Sequence, residues 1–153
     1  PNIALPKFKA LASKSTTQGH GLQALAITVI GGTAPLSITA RSSNTAVVPA
    51  ANLHPNSAAQ TLAIGSSSLG VGVSNISVTV TDAVGARGIS WFLLTVNPAP
   101  TIALGFSQYL TTVTRSTANL TVSVAGGTGL LKVTASSADP TRVKNSNIHV
   151  YRG

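Results

Sequence analysis

Cysteine and glutamate are absent from this chain, and acid of any kind is scarce: Asp82 and Asp139 are its only carboxylate side chains. Without cysteine there is no disulfide and no thiolate chemistry, so an oxidising compartment is neither required nor excluded. Two acids leave little room for catalysis by paired carboxylates. They also fall short of the roughly six to eight hard oxygens, several of them carboxylates, that calcium prefers. His20, His54 and His149 are scattered instead of clustered as metal ligands would be. A Ser-His-Asp triad through Asp82 is formally available, but no G-x-S-x-G elbow is present. The glycine-bearing loops at Gly65-Ser66 and Gly70-Val71-Gly72 lack the lysine and helix of a phosphate loop. The expectation is a non-enzyme with no metal and no cofactor. No apolar run reaches the roughly 18 residues that would span a membrane, so no membrane span is expected.

Charged residues make up 8% of the 153-residue chain and aromatics 4%, against the usual quarter or so for charge. The net charge of +8 therefore reflects missing acids more than abundant bases. Lys7, Lys9 and Lys14 lie near the start, and Lys132, Arg142, Lys144 and Arg152 near the end. Such a surface suits an anionic partner, whether a cell surface or a glycan. No basic run is interleaved with stacking aromatics, so no specific nucleic acid is expected. The chain opens on Pro1 and contains no methionine, which reads as a processed or excised chain.

What is present is β-branched and alternating. Between Val71 and Pro98, Val78 and Val80 alternate with Thr79 and Thr81. Asp82, Gly85 and Gly88 turn the chain, and Phe92, Leu94 and Val96 alternate again. Period two with a glycine turn predicts a hairpin with one buried face. Asp82 is expected to cap the turn through backbone hydrogen bonds. Upstream, Ile3-Ala4-Leu5 and Lys7-Phe8-Lys9 read as short strands and Ser13 to Gly21 as a loop. Leu25, Ile27 and Val29 mark a strand, Gly31 to Pro35 a turn, and Leu36 to Ala40 the partner strand of a hairpin. Residues 42–56, with Pro49 and Pro55, suit an edge, and Gln60 to Ile64 reads as another strand. About seven short strands with turns every ten or so residues predict an all-β fold, an immunoglobulin-like β-sandwich.

The chain then repeats itself. Asn119 to Thr128 matches the Leu25 to Thr33 strand and turn, Leu131 to Ala135 matches Leu36 to Ala40, and Asn147-Ile148-His149 matches Asn52-Leu53-His54. Gly31 to Gly126 and His54 to His149 are both offsets of 95, while Ile3 to Ile102 gives 99, which puts a length change in the intervening loop. Residues 1–98 read as one full module, residues 99–153 as the first half of a second, and Asn97 to Pro100 as a proline-stiffened linker. Nothing in the second copy matches Gln60 to Val96. Three readings follow: a fragment of a longer repeat protein, a half-module completed by strands of a neighbouring subunit, or a remainder of different form.

The segment SSNTAVVPAANLH and the later ISVTVTDAVGARGISWFLLTVNP resemble the Ig-like or cadherin-like tandem repeats of large bacterial surface and secreted proteins. Ser42, Ser43, Asn44, Val48, Pro49 and Asn52 carry the first part of the likeness, and Thr79 to Asp82, Gly85, Phe92 and Leu94 to Val96 the second. The resemblance implies an extracellular or cell-surface location, a virion surface included. The implied roles are spacer, adhesive stalk or decoration. Many such repeats bind calcium between modules through acidic residues, and this chain departs from that.

If Phe92, Leu94 and Val96 face the core, the period of two sends Ile89, Trp91 and Leu93 outward. An outward apolar row is a candidate subunit contact, since Trp is favoured at interface centres; a covering neighbour, or a shifted register with Trp91 in the core, are the other readings. Asn75-Ile76-Ser77 and Asn119-Leu120-Thr121 fit the N-glycosylation pattern, making Asn75 and Asn119 candidates. The expected role is a structural module that builds a filament, stalk or layer by self-association or with neighbouring repeats. The alternative is an adhesive or carbohydrate-binding module using Trp91, Tyr109 or Tyr151, or a phage decoration protein.

Overall fold

Alternation governs the longest strands of the computed structural model, which describes residues 4–106, 108, 110–112 and 115–151. Among the described residues eleven strands run in order: β1 (Lys7–Phe8), β2 (Lys14–Thr17), β3 (Leu22–Ala26), β4 (Val29–Ile30), β5 (Ser37–Ser42), β6 (Leu53–Asn56), β7 (Thr61–Ile64), β8 (Gly72–Thr81), β9 (Arg87–Asn97), β10 (Thr101–Leu104) and β11 (Val122–Ala125). A four-stranded sheet has the order β2-β9-β8-β5 and a three-stranded sheet the order β3-β7-β6. Two short antiparallel pairs, β1-β4 and β10-β11, complete the set.

The two larger sheets enclose one apolar core. Ile76, Val78 and Val80 of β8 and Phe92, Leu94 and Val96 of β9 point inward, as the alternation requires. Ile38 of β5 joins them, and Ile27, Val48, Leu53, Leu62 and Ile64 face them from the other side. Each such side chain, withdrawn from water, contributes about 1.5–3 kcal/mol. Polar groups that enter the core are paired. The Ser74 hydroxyl meets that of Ser42 at 2.8 Å and accepts from the Asn44 backbone N–H at 3.2 Å. Asn52 donates its side-chain amide to the Ser67 carbonyl.

The hairpin turn is built as expected. The Asp82 carboxylate accepts from the backbone N–H groups of Val84 (3.1 Å) and Ala86 (2.8 Å). It also accepts from Thr33 N–H at 3.1 Å, tying the turn to the loop before β5.

Other expectations need correcting. The strand read from Leu25 to Val29 is broken at residues 27–28: β3 joins the three-stranded sheet, while β4 pairs with β1. It forms no hairpin with β5, which pairs instead with β8 in the opposite sheet. Residues 13–21 are not all loop, because β2 lies parallel to β9 there, Lys14 opposite Leu94 and Thr16 opposite Val96. Ala4 and Leu5 lie outside any strand, and Ile3 lies outside the described residues. The irregular stretch does supply an edge, β6, with Pro55 inside it.

Beyond residue 98 the local geometry of the first copy recurs. Asn44 O accepts from Val47 and Val48 N–H; Asp139 O accepts from Arg142 and Val143 N–H. Asn44 N–H donates to Ser42 Oγ at 3.2 Å, and Asp139 N–H to Ser137 Oγ at 3.1 Å. The 3-10 turn over Ala50–Asn52 has its counterpart at Asn145–Asn147. All these pairs stand 95 residues apart. The upstream offset differs from that read in the sequence. Gly32 N–H donates to Ala4 O, and Gly127 N–H to Pro98 O, both at 2.8 Å. Gly32 and Gly127 hold φ of 81° and 77°, a left-handed conformation that favours glycine. Lys7 pairs with Ile30 and Thr101 with Ala125, so Lys7 corresponds to Thr101, an offset of 94. One extra residue, not four fewer, separates the copies in this loop. The prolines read as a linker thus occupy the positions of Ala4 and Pro6. Thr128 Oγ1 lies 2.9 Å from both Thr17 Oγ1 and Asn97 Nδ2.

Candidate binding surfaces

Odd-numbered residues of β9 face away from the core. Arg87, Ile89, Trp91 and Leu93 all lie on this outward face of the four-stranded sheet, and Trp91 is 65% exposed. The contact row expected from the sequence is therefore brought together on one face, and Trp91 lies outside the core. Neighbouring strands add the rest. Trp91 pairs with Ser77, which pairs with Arg41; Ile89 pairs with Thr79, which pairs with Thr39. Arg87 pairs with Thr81, opposite Ser37, and Leu93 pairs with Asn75. With strands about 4.8 Å apart, the Arg41–Ser77–Trp91 row is roughly 10 Å wide. The Ser77 hydroxyl donates to the Arg41 carbonyl at 3.5 Å. Arg41 and Arg87 entered the sequence reading only through the net charge, because nothing local in the sequence announces the β5–β8 pairing.

Carboxylates are missing from this face. Asp82 is buried and engaged by three backbone donors. Asp139 lies in the second copy, 3.3 Å from Arg142, and the Thr141 hydroxyl bonded to it holds its carboxyl below the usual carboxylate range.

The second surface lies beyond residue 98. Val122, Val124 and Val143 are exposed, whereas their counterparts Ile27 and Val48 are buried and Val29 is partly so. In the first copy the cover comes from β7, β8 and β9; among the described residues no strand plays that part for the second. Residues 131–135, matched to β5, are not in a strand.

Other candidates stay apart. Asn75 is exposed on β8 beside Leu93, and Asn119 is exposed ahead of β11. Tyr151 is exposed and its ring lies 6.1 Å from that of His149, while Tyr109 and Arg152 lie outside the described residues. His54 is exposed on β6. Among the described residues no three metal-ligating side chains come together, and no helix is long and apolar enough to cross a membrane. A cleft of about 270 Å³ opens between the sheets, lined by Leu11, Leu25, Ile27 and Phe92 with Lys14 as its one charged group.

No known family matches the chain, and no curated protein does. Solved structures do match in fold. The N-terminal eight Ig domains of Down syndrome cell adhesion molecule, isoform 1.30.30, superpose with a TM-score of 0.52 at 20% identity, over 82% of this chain and 18% of that one. SGBP-B of the Bacteroides ovatus mixed-linkage glucan utilization locus, solved with a mixed-linkage heptasaccharide, matches with a TM-score of 0.38 at 19% identity, over 60% of this chain and 21% of that one. The chain thus spans about a fifth of each of these structures. The first likeness shows an Ig-like β-sandwich. It does not extend to the bacterial or cadherin-like kind of repeat.

Proposed function

We propose that this chain is a non-catalytic, extracellular structural module. In this reading it builds a surface filament, stalk or layer, and residues 99–153 are covered by strands from a neighbouring subunit or a neighbouring repeat. One observation carries the reading: backbone turns recur residue for residue between the copies, yet the aliphatic positions they organise are buried only in the first. An exposed row of valines beside unpaired strand edges invites pairing with another chain. The strands that fit have the alternation of β7 to β9, since these cover the same positions in the first copy. Main-chain pairing would supply the affinity and alternate side chains the specificity, as in other strand-addition complexes.

Assembly state tests the proposal. The chain is compared with a version in which residues 60–98 are repeated after residue 153, supplying closing strands within one polypeptide. The unextended chain is expected to form ordered larger species by light scattering and electron microscopy. The extended chain is expected to stay monomeric, with slowed exchange at the β10 and β11 amides. A monodisperse unextended chain, or assembly that the extension leaves unchanged, refutes the reading.

A further inference from the structure

We infer that the outward face of the four-stranded sheet binds an acidic polysaccharide, with a sugar ring on Trp91 and uronate carboxylates at Arg41 and Arg87. This goes beyond the assembly role, which rests on the other end of the chain. Charge selects the occupant. Trp91 shares this face with two arginines, Arg41 two strands across the sheet and Arg87 further along β9. Arg87 lies four residues from Trp91, roughly 14 Å along the strand. A second copy of this chain offers these groups little counter-charge, because Asp82 is buried and Asp139, the one exposed acid, lies 3.3 Å from Arg142. A self-contact through Ile89, Trp91 and Leu93 would leave both arginines facing a like-charged surface.

The remaining chemistry fits a sugar. The apolar face of a pyranose stacks on an exposed indole, and guanidinium binds carboxylate in two-pronged fashion. Between and around the three anchors lie Thr39, Asn75, Ser77 and Thr79, short donors and acceptors that match a hydroxyl-rich ligand. The Arg41–Trp91 row is about as wide as two linked sugar rings. Single-stranded nucleic acid would ask for successive stacking aromatics, and Trp91 is the sole aromatic on this face.

The test titrates polygalacturonate, a uronic acid polymer, into the full chain, with neutral galactan and oligothymidylate as comparisons. Trp91 is the chain's only tryptophan, so its emission reports binding directly, and affinity electrophoresis reads the variants. Polygalacturonate is expected to bind and galactan to fail. Trp91→Ala should weaken binding about 5- to 10-fold. Arg41→Gln and Arg87→Gln should each weaken it about 3- to 5-fold. Lys132→Gln, which removes the same charge outside this sheet, should leave it unchanged. Three outcomes overturn the inference: equal losses in Lys132→Gln and Arg41→Gln, which would mean attraction by net charge alone; tighter binding of oligothymidylate; or a Trp91-dependent self-association that polygalacturonate does not disturb. Trp91 is exposed, so its variant should keep the parent melting temperature, separating lost binding from lost folding.

Discussion

Val48 and Val143 stand 95 residues apart, each following a turn whose first residue accepts its N–H, at 2.9 and 3.0 Å. Val48 is 0% exposed and Val143 is 49% exposed. Local chain geometry is thus identical where tertiary cover is not, which separates what the turn sequence dictates from what β7 to β9 contribute.

Truncating the two valines should therefore have unequal effects. Val48→Ala removes two methyl groups from a closed core and is expected to cost about 1–3 kcal/mol, from the transfer and cavity terms. Val143→Ala should change stability by less than about 0.5 kcal/mol, the range of ordinary surface substitutions. Urea denaturation of the full chain measures both. If residues 60–98 are appended to complete the second copy, the cost at Val143 should rise toward that at Val48.

The Asp82 carboxylate supports a second prediction. It receives three backbone N–H donors inside the protein, two from its own turn and one from Thr33. Asp82→Ala leaves those donors without a partner, with a penalty of about 1–3 kcal/mol per orphaned group when water cannot replace it. Loss of roughly 2–4 kcal/mol overall is expected, since part of the turn is open to solvent. Asp82→Asn keeps an acceptor oxygen and should recover part of it. Faster amide exchange at Thr33, Val84 and Ala86 in the Ala variant would localise the effect.

Asp139 titrates in a fully exposed turn. The Thr141 hydroxyl is the main cause that lowers its pKa, helped by the N–H groups of Thr141 and Arg142. A depressed carboxylate pKa means the folded turn favours the ionised form. Its contribution is present above the unfolded value and lost as pH falls through the folded one. Carboxyl-carbon NMR should show Asp139 titrating below an ordinary aspartate. The Thr141→Val variant should titrate nearer the ordinary value. The turn over residues 139–143 should loosen in acid, while the first-copy turn at Asn44, which has no titrating group, should not.

Much of this fold was legible because period-two alternation is a direct consequence of strand geometry. It puts Val78 and Val80, and Phe92, Leu94 and Val96, on the buried face, and Ile89, Trp91 and Leu93 outward, without knowledge of any partner strand. Pairing was less legible. Leu36 to Ala40 follows a glycine turn and reads as the partner of Leu25 to Val29, yet the turn carries the chain across to the other sheet, as sandwich connections do. β2 is not legible in the sequence because Lys14 to Thr17 is polar and short, and only the edge of β9 makes it a strand. The platform around Trp91 was half visible: the β9 row was in the sequence, but Arg41 joins it only through a register set by two further strands.

The closest approach in the first copy yields the last prediction. A Cβ built on Gly88 would stand 2.1 Å from the Pro6 carbonyl oxygen and 3.0 Å from its carbon. No flexible side chain can yield there, because the obstacle is backbone. Gly88 therefore lets residues 4–8 lie against β9, where Pro6 is buried. Gly88→Ala should push this segment away and weaken the Lys7–Ile30 and Phe8–Val29 pairing that it positions. The hydrogen bonds from Lys9 N–H to Thr28 O (3.0 Å) and Gly32 N–H to Ala4 O (2.8 Å) should open with it. An overall loss of about 1–3 kcal/mol is expected, as for other overpacked sites. Amide exchange should be fast at Lys9 and Gly32 and unchanged along β8, where Ile76, Val78 and Val80 keep their own contacts. If exchange instead rose throughout the sandwich, the leading segment would be integral to the core and not a strap laid over its edge.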